Sequence, residues 1–137
     1  MDSLFLDTSY VIALAVERDT HHSRAVQLAD RVEEENTRIV TTRPVVLEIG
    51  NYLSKPNRRS QVISYVETLE QEPAVEIVPL TKDLFRRGFE LYRQRPDKTW
   101  GLTDCISFIV MRDRGIQEAL TTDRDFEQAG FNALLGD

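Results

Sequence analysis

Short apolar runs alternate along this chain with longer stretches in which apolar residues return every three or four positions. The first run, "SLFL" at residues 3–6, predicts a buried strand that stops at Asp7-Thr8-Ser9. Thr8 or Ser9 then caps a helix carrying "YVIALAVE". Residues 19–36 form an amphipathic pattern with Ala25, Leu28, Ala29 and Val32 on one face. "RIVTT" at 38–42 is strand-like, and Pro44 suits the opening turn of the helix after it. That helix, "PVVLEIGNYL", places Val46, Ile49, Gly50 and Leu53 together, with Glu48 on the flank beside Val45 and Tyr52.

Further along, "KPNRR" at 55–59 reads as a loop and "SQVISYVETLEQE" as a helix. "VEIVPL" at 75–80 is a strand, after which Thr81 caps "KDLFRRGFELYRQR" with Leu84, Phe85, Phe89 and Tyr92 mostly on one face. "PDKTWG" at 96–101 is a turn-rich break. Residues 102–115 are apolar almost all round until Arg112, which predicts a buried helix with Gly115 as its stop. "EALTTD" is a strand ending in an acid, "RDFEQAG" a short helix, and "FNALL" an edge strand. This alternation argues for an α/β fold: a single-domain α/β/α sandwich over residues 1–137 with a short, mostly parallel sheet. No repeat or linker divides the chain.

Composition narrows the class. Of 137 residues, 41% are hydrophobic and 29% charged, which excludes disorder. The opening apolar run is too short and too polar to cross a bilayer, so no membrane association is expected, and "MDSLFLD" lacks the basic start of a secretory signal. A single cysteine, Cys105, cannot form an internal disulfide and fits a reducing cytoplasm; set in "DCISFIV", it reads as core filling. The net charge of −6 opposes tight non-specific binding to nucleic acid, yet it is compatible with a nucleic-acid enzyme whose acidic site takes up cations.

The placement of the acids is therefore the informative feature. Functional groups of an open parallel sheet gather beyond the carboxyl ends of its strands. Asp7 follows "LFL" and Asp123 follows "EALTT", while Glu48 and Asp104 sit early in helices beside apolar surface. Each alone reads equally well as a cap or turn residue. Together they would converge on one sheet edge, with no Lys or Arg adjacent to Asp7, Glu48 or Asp104. Two carboxylates about 4 Å apart repel by roughly 4 kcal/mol at an effective dielectric near 20. Such a cluster needs protons or hard divalent cations, and the nearby hydroxyls of Thr8, Ser9, Thr121 and Thr122 favour Mg²⁺ or Mn²⁺ over zinc. His21 and His22 supply no zinc ligand set.

The stretches "LFLDTSYVIAL", "TTRPVVLEIGNYL", "WGLTDCISFIVM" and "ALTTDRDFEQAGF" occur in the order and spacing of a known family. The sequence resembles the PIN-domain ribonucleases, and most closely the VapC-type toxins of toxin–antitoxin pairs. The resemblance covers essentially the whole chain. It implies that Asp7, Glu48, Asp104 and Asp123 are the acidic quartet, that Thr8 or Ser9 is the small polar residue after the first aspartate, and that Thr122 is a polar site residue. Asp125 is a helper or an alternative to Asp123. The implied activity is Mg²⁺- or Mn²⁺-dependent endonucleolytic hydrolysis of RNA, with Asp7, Asp104 and Asp123 on metal and Glu48 on a second ion or the attacking water. The implied partners are an RNA substrate, a small antitoxin and a second copy in a homodimer.

The remaining basic residues cluster, and Lys55, Arg58 and Arg59 are candidate phosphate contacts, with Trp100 a candidate stacking platform for a base. Two other enzyme readings fail on residues. A haloacid-dehalogenase-like phosphatase wants a second acid two positions after Asp7, where Ser9 stands, and a receiver domain wants an acceptor Asp and a partner Lys on later strands. A non-catalytic PIN-like module, binding RNA or protein, is the alternative from another class.

Overall fold

The computed structural model describes residues 2–136. Twelve elements follow one another: β1 (Leu4–Leu6), α1 (Thr8–Ala15), α2 (His22–Glu35), β2 (Ile39–Thr42), α3 (Arg43–Tyr52), α4 (Pro56–Gln71), β3 (Val75–Val78), α5 (Lys82–Gln94), α6 (Leu102–Arg114), β4 (Glu118–Leu120), α7 (Arg124–Gln128) and β5 (Asn132–Ala133). Every strand pairing is parallel, in the order β3-β2-β1-β4-β5. The chain lays β1, β2 and β3 outward on one side and returns to place β4 and β5 on the other. The order therefore reverses between β1 and β4, whose carboxyl ends frame the crevice typical of such sheets. In register, Leu6 faces Leu120, so the residues that follow each strand emerge side by side.

Burial explains why these segments take these forms. β1 is buried throughout, as a central parallel strand covered on both faces must be. α6 buries Cys105, Ile106, Ser107, Phe108, Val110 and Met111, and ends at Gly115 in the left-handed region (φ 64°). Phe108 centres an aromatic cluster, edge-on to Trp100 at 5.1 Å and to Phe126 at 5.0 Å. The helices pack mainly in two sets, α1 with α2 and α3 and then α4 on β3, and α5 with α6 and α7. Among the described residues no helix is long and apolar enough to cross a membrane.

Several boundaries differ from the sequence expectations. The residue at the head of α1 is Asp7 rather than Thr8 or Ser9, and its side chain makes no capping bond. α2 begins at His22, because Asp19 turns the chain first by accepting from the His21 backbone N–H at 2.8 Å. Residues 56–59 belong to α4 and not to a loop: Pro56 opens the helix, where a missing N–H costs nothing. β4 stops at Leu120, leaving 121–123 as irregular chain. α5 turns a different face inward, burying Leu84, Gly88 and Leu91 while Phe85, Phe89 and Tyr92 lie 43%, 39% and 48% exposed. The reason is Gly88: α6 approaches so closely there that a Cβ would sit 2.5 Å from Ile106 Cγ1.

Candidate active site

Asp7 leaves the end of β1 with its backbone N–H still on the Leu120 carbonyl, 3.2 Å away. Its residue is 5% exposed. Oδ2 accepts from the Thr121 hydroxyl at 2.7 Å and from the Ser9 hydroxyl at 3.0 Å, and the Thr8 backbone N–H adds a third donor to the carboxylate. The two hydroxyls are oriented in turn. Ser9 Oγ accepts from the Thr122 N–H and Thr121 Oγ1 from the Asp123 N–H, both at 3.0 Å, which directs their protons to Asp7. These donors favour the ionised form, but burial outweighs them and raises the Asp7 pKa above its usual range, with Asp123 adding repulsion.

Glu48 reaches the same edge from α3, which starts directly after β2 and is capped by Thr42, whose Oγ1 accepts from the Val45 N–H. Its Oε1 accepts from the Thr8 hydroxyl at 2.7 Å, tying α3 to the head of α1. Burial raises its pKa, and Asp7 contributes repulsion. Asp104 stands in the first turn of α6, where the Gly101 N–H donates to Oδ2 at 3.2 Å. Desolvation, followed by the charges of Asp7 and Asp123, pushes its pKa from 3.8 up to about 7, with a smaller push from Glu48. Asp123 caps α7, its Oδ1 accepting from the Asp125 N–H at 2.8 Å.

Asp104, Asp123 and Asp125 can each place a carboxylate oxygen within 4.8 Å of the others. Burial and the Asp123 charge raise the pKa of Asp125 as well. Among the described residues none of the five acids forms an ion pair with Lys or Arg. The donor set is therefore all oxygen, partly desolvated and uncompensated, and this chemistry fits a hard divalent cation. The residues that would hold it are Asp104, Asp123 and Asp125, with Asp7 and Glu48 bordering them electrostatically.

Three features of the site differ from the sequence expectations. Asp125 is a full member of the carboxylate triad, since the turn at 123–125 folds both acids toward Asp104. The hydroxyls on Asp7 are those of Thr121 and Ser9; Thr122 takes part through its backbone N–H, which donates to Ser9 Oγ. Side chains of extended chain alternate, so Thr121 shares a side with Asp123, and that period of two was the available signal. Trp100 offers no face to a base: it is 5% exposed, packed on Phe108, with its indole N–H on Gln128 at 3.3 Å. Of the basic trio, Arg58 donates to the Ala15 carbonyl and Arg59 to the Ser54 carbonyl at 2.9 Å, while Lys55 is exposed at the head of α4.

A family model described as the PIN domain matches residues 4–132, a span that holds every acid of the site. The chain belongs to the PIN-domain family. This PIN domain is 27% identical over 128 residues to the 23S rRNA-specific endonuclease VapC20 of Mycobacterium tuberculosis, in strains CDC 1551 / Oshkosh and ATCC 25618 / H37Rv. The match spans 93% of this chain and 95% of that protein. The crystal structure of Mycobacterium tuberculosis VapC20, described as a sarcin-ricin loop cleaving toxin, superposes with a TM-score of 0.80 at 26% identity, over 93% of this chain and 95% of its own. The five-stranded parallel sheet flanked by helices is thus the PIN fold, and the acids stand where that fold gathers the carboxyl ends of β1 and β4.

Proposed function

We propose that this PIN domain is a metal-dependent endoribonuclease and the toxin of a toxin–antitoxin pair, acting on structured RNA such as the ribosomal RNA cut by its similar relative. The observation that carries this reading is the convergence of Asp104, Asp123 and Asp125, bordered by Asp7 and Glu48, with no protein cation among them. A Mg²⁺ or Mn²⁺ ion held there would supply Lewis acidity at a phosphoryl oxygen. The protein's own part is placement. Asp104 is fixed by the Gly101 N–H and Asp123 by the Asp125 N–H, and each keeps a second carboxylate oxygen outside those bonds. Asp7, held by the Thr121 and Ser9 hydroxyls, adds a further carboxylate at the edge of the cluster. Glu48 has Oε1 committed to Thr8, which leaves Oε2 to orient the attacking water and take its proton. Water oxygen bonds to phosphorus as the bond from phosphorus to the 3′ oxygen breaks. That oxygen takes up a proton from solvent, Glu48 later releases the one it took, and the products are a 5′-phosphate and a 3′-hydroxyl. A small antitoxin partner and a homodimeric state belong to the same proposal.

The test is to incubate the purified chain, free of any antitoxin, with total RNA and Mg²⁺ or Mn²⁺, and to map new 5′-phosphate ends by sequencing. Discrete ends that vanish in Asp104→Ala support the proposal. Intact RNA with either metal overturns it in favour of a non-catalytic RNA-binding or interaction module.

A further inference from the structure

An acidic site poses a problem for an RNA substrate. A cation at the carboxylates offsets charge at the phosphate being cut, but the phosphates on either side still approach a protein of net charge −6. Binding them requires lysine or arginine side chains close to the acids yet not neutralised by them. The break between α5 and α6 supplies such a group.

There a hollow of about 440 Å³ is lined by Tyr92, Arg93, Arg95, Lys98 and Thr99, with Trp100 and Cys105 behind them. None of the acids lines the hollow, but Lys98 on its rim is close enough to Asp125 for its charge to act on that acid, which sets the hollow near the carboxylate cluster. The rim is held rigidly. The Lys98 N–H closes a turn onto the Arg95 carbonyl at 3.1 Å, and Arg95 lies bidentate on Asp97, both bonds 3.0 Å. Arg95 and Lys98 lie over the Trp100 ring at 5.2 and 5.9 Å from its centroid. Trp100, fixed by Phe108 and Gln128, thus serves as a platform for cations.

The important cation is Lys98. It is near enough to Asp97 and Asp125 for its charge to favour their ionised forms, yet no carboxylate lies within ion-pair distance of its Nζ among the described residues. A lysine beside a cluster of uncompensated carboxylates would be expected to collapse onto one of them. Here it rests on the indole face instead, with its three donors available. Arg93, at the mouth of the same hollow, stacks over Phe89 at 5.1 Å, and its only ion pair among the described residues is a long, exposed one to Glu90 at 3.8 Å that a phosphate can displace. Tyr92, 48% exposed, also lines the hollow and stacks on Phe89 at 6.3 Å between centroids.

We propose that this hollow seats the RNA strand next to the scissile phosphate, with Lys98 and Arg93 on backbone phosphates and Tyr92 against a base. The inference rests on the ribonuclease reading and extends it, because it assigns the substrate contacts to the last turn of α5 and the loop after it rather than to the head of α4. Two cations on phosphates and one aromatic on a base suit a single-stranded segment.

The test measures binding and cleavage separately. Binding of a short labelled single-stranded RNA is followed by anisotropy across a salt series in the Asp104→Asn background, with and without Arg93→Gln plus Lys98→Gln. Removing each phosphate-binding cation should flatten the slope of log affinity against log salt by about 0.7. In the active enzyme the same pair should raise KM about tenfold or more with little change in kcat. Lys98→Met keeps the stem on Trp100 and should behave as Lys98→Gln does, whereas Lys98→Arg should restore binding. Arg38→Gln, just before the opposite end of β2, serves as the control and should leave the slope unchanged. An unchanged slope and KM in the double variant overturn the inference, as does a change in oligomeric mass by sedimentation without a change in RNA affinity, which would make the surface a protein interface. Absence of cleavage by the unmodified protein sinks the ribonuclease reading alone, since the binding series still reports on the hollow.

Discussion

Two groups of carboxylates in this molecule have opposite fates. On the outside, Glu76 in β3 accepts from Arg114 at 2.5 and 2.7 Å and from Arg38 at 3.2 Å, and Asp113 takes both arms of Arg87 at 2.6 and 2.8 Å. Those hydrogen bonds hold both acids below the usual carboxylate range. At the crevice between β1 and β4, Asp7, Glu48, Asp104 and Asp125 are all raised, chiefly by desolvation. The difference lies in what accompanies each acid. Arginine was placed beside the outer acids, and only hydroxyls and backbone N–H groups beside the inner ones. Among the described residues Glu76 and Asp113 are paired with arginine at the surface, whereas five partly desolvated acids share one crevice without an ion pair, an arrangement that favours a bound cation there.

The contrast can be broken most forcefully at Asp104. Asp104→Asn keeps the shape and removes one charge, and kcat should fall by about a hundredfold or more, the scale seen when one charge-stabilising group is removed. Retention of full activity would mean that the inner acids are structural. Next in size is the response to metal. Mg²⁺ or Mn²⁺ at about a hundredfold over its Kd should stabilise the folded state by about 2.7 kcal/mol, visible as a rise in Tm. The rise should shrink in Asp104→Asn and persist in Glu76→Gln.

The two groups should also answer pH with opposite signs. In metal-free protein the Asp104 pKa stands at about 7 against 3.8 when unfolded, so between these values the folded state binds the extra proton. Stability from this group therefore falls as pH rises from about 4 to about 7 and is level above. Glu76 and Asp113, with lowered pKa values, lose their contribution as pH drops through the carboxylate range. Urea midpoints taken without metal should show the first trend in the unmodified chain and a weaker one in Asp104→Asn, which should also be the more stable of the two at neutral pH. The smallest effect belongs to Glu76→Gln. Its ion pairs sit near the surface, so about 1 kcal/mol or less is expected, with cleavage unchanged.

Most of the architecture was readable because the apolar pattern and the strand ends are local properties. "SLFL", "RIVTT", "VEIVPL" and "EALTTD" each contain an observed strand, and Asp7, Glu48 and Asp123 follow from where those strands and their helices begin and end. The features that sequence misplaced share a cause. Pro56 looks the same in a loop as in a first helical turn, and only packing of α4 against β3 selects the helix. The face of α5 could not be assigned from size and hydrophobicity, because the inward side was chosen by Gly88 admitting Ile106. Trp100 has the residue type of a stacking platform, yet Phe108 and Gln128 hold it inside.

The sequence by itself determined the order of the elements, since each depends on neighbours a few residues apart, and their alternation implied the parallel sheet. Tertiary structure alone decided that Thr121 donates to Asp7, that Asp125 joins Asp104 and Asp123, and that Lys98 stands near them with no ion pair among the described residues. Those facts turn on contacts between segments up to 114 positions apart, as between Thr121 and Asp7, where a shift of one residue in register would exchange one hydroxyl for another.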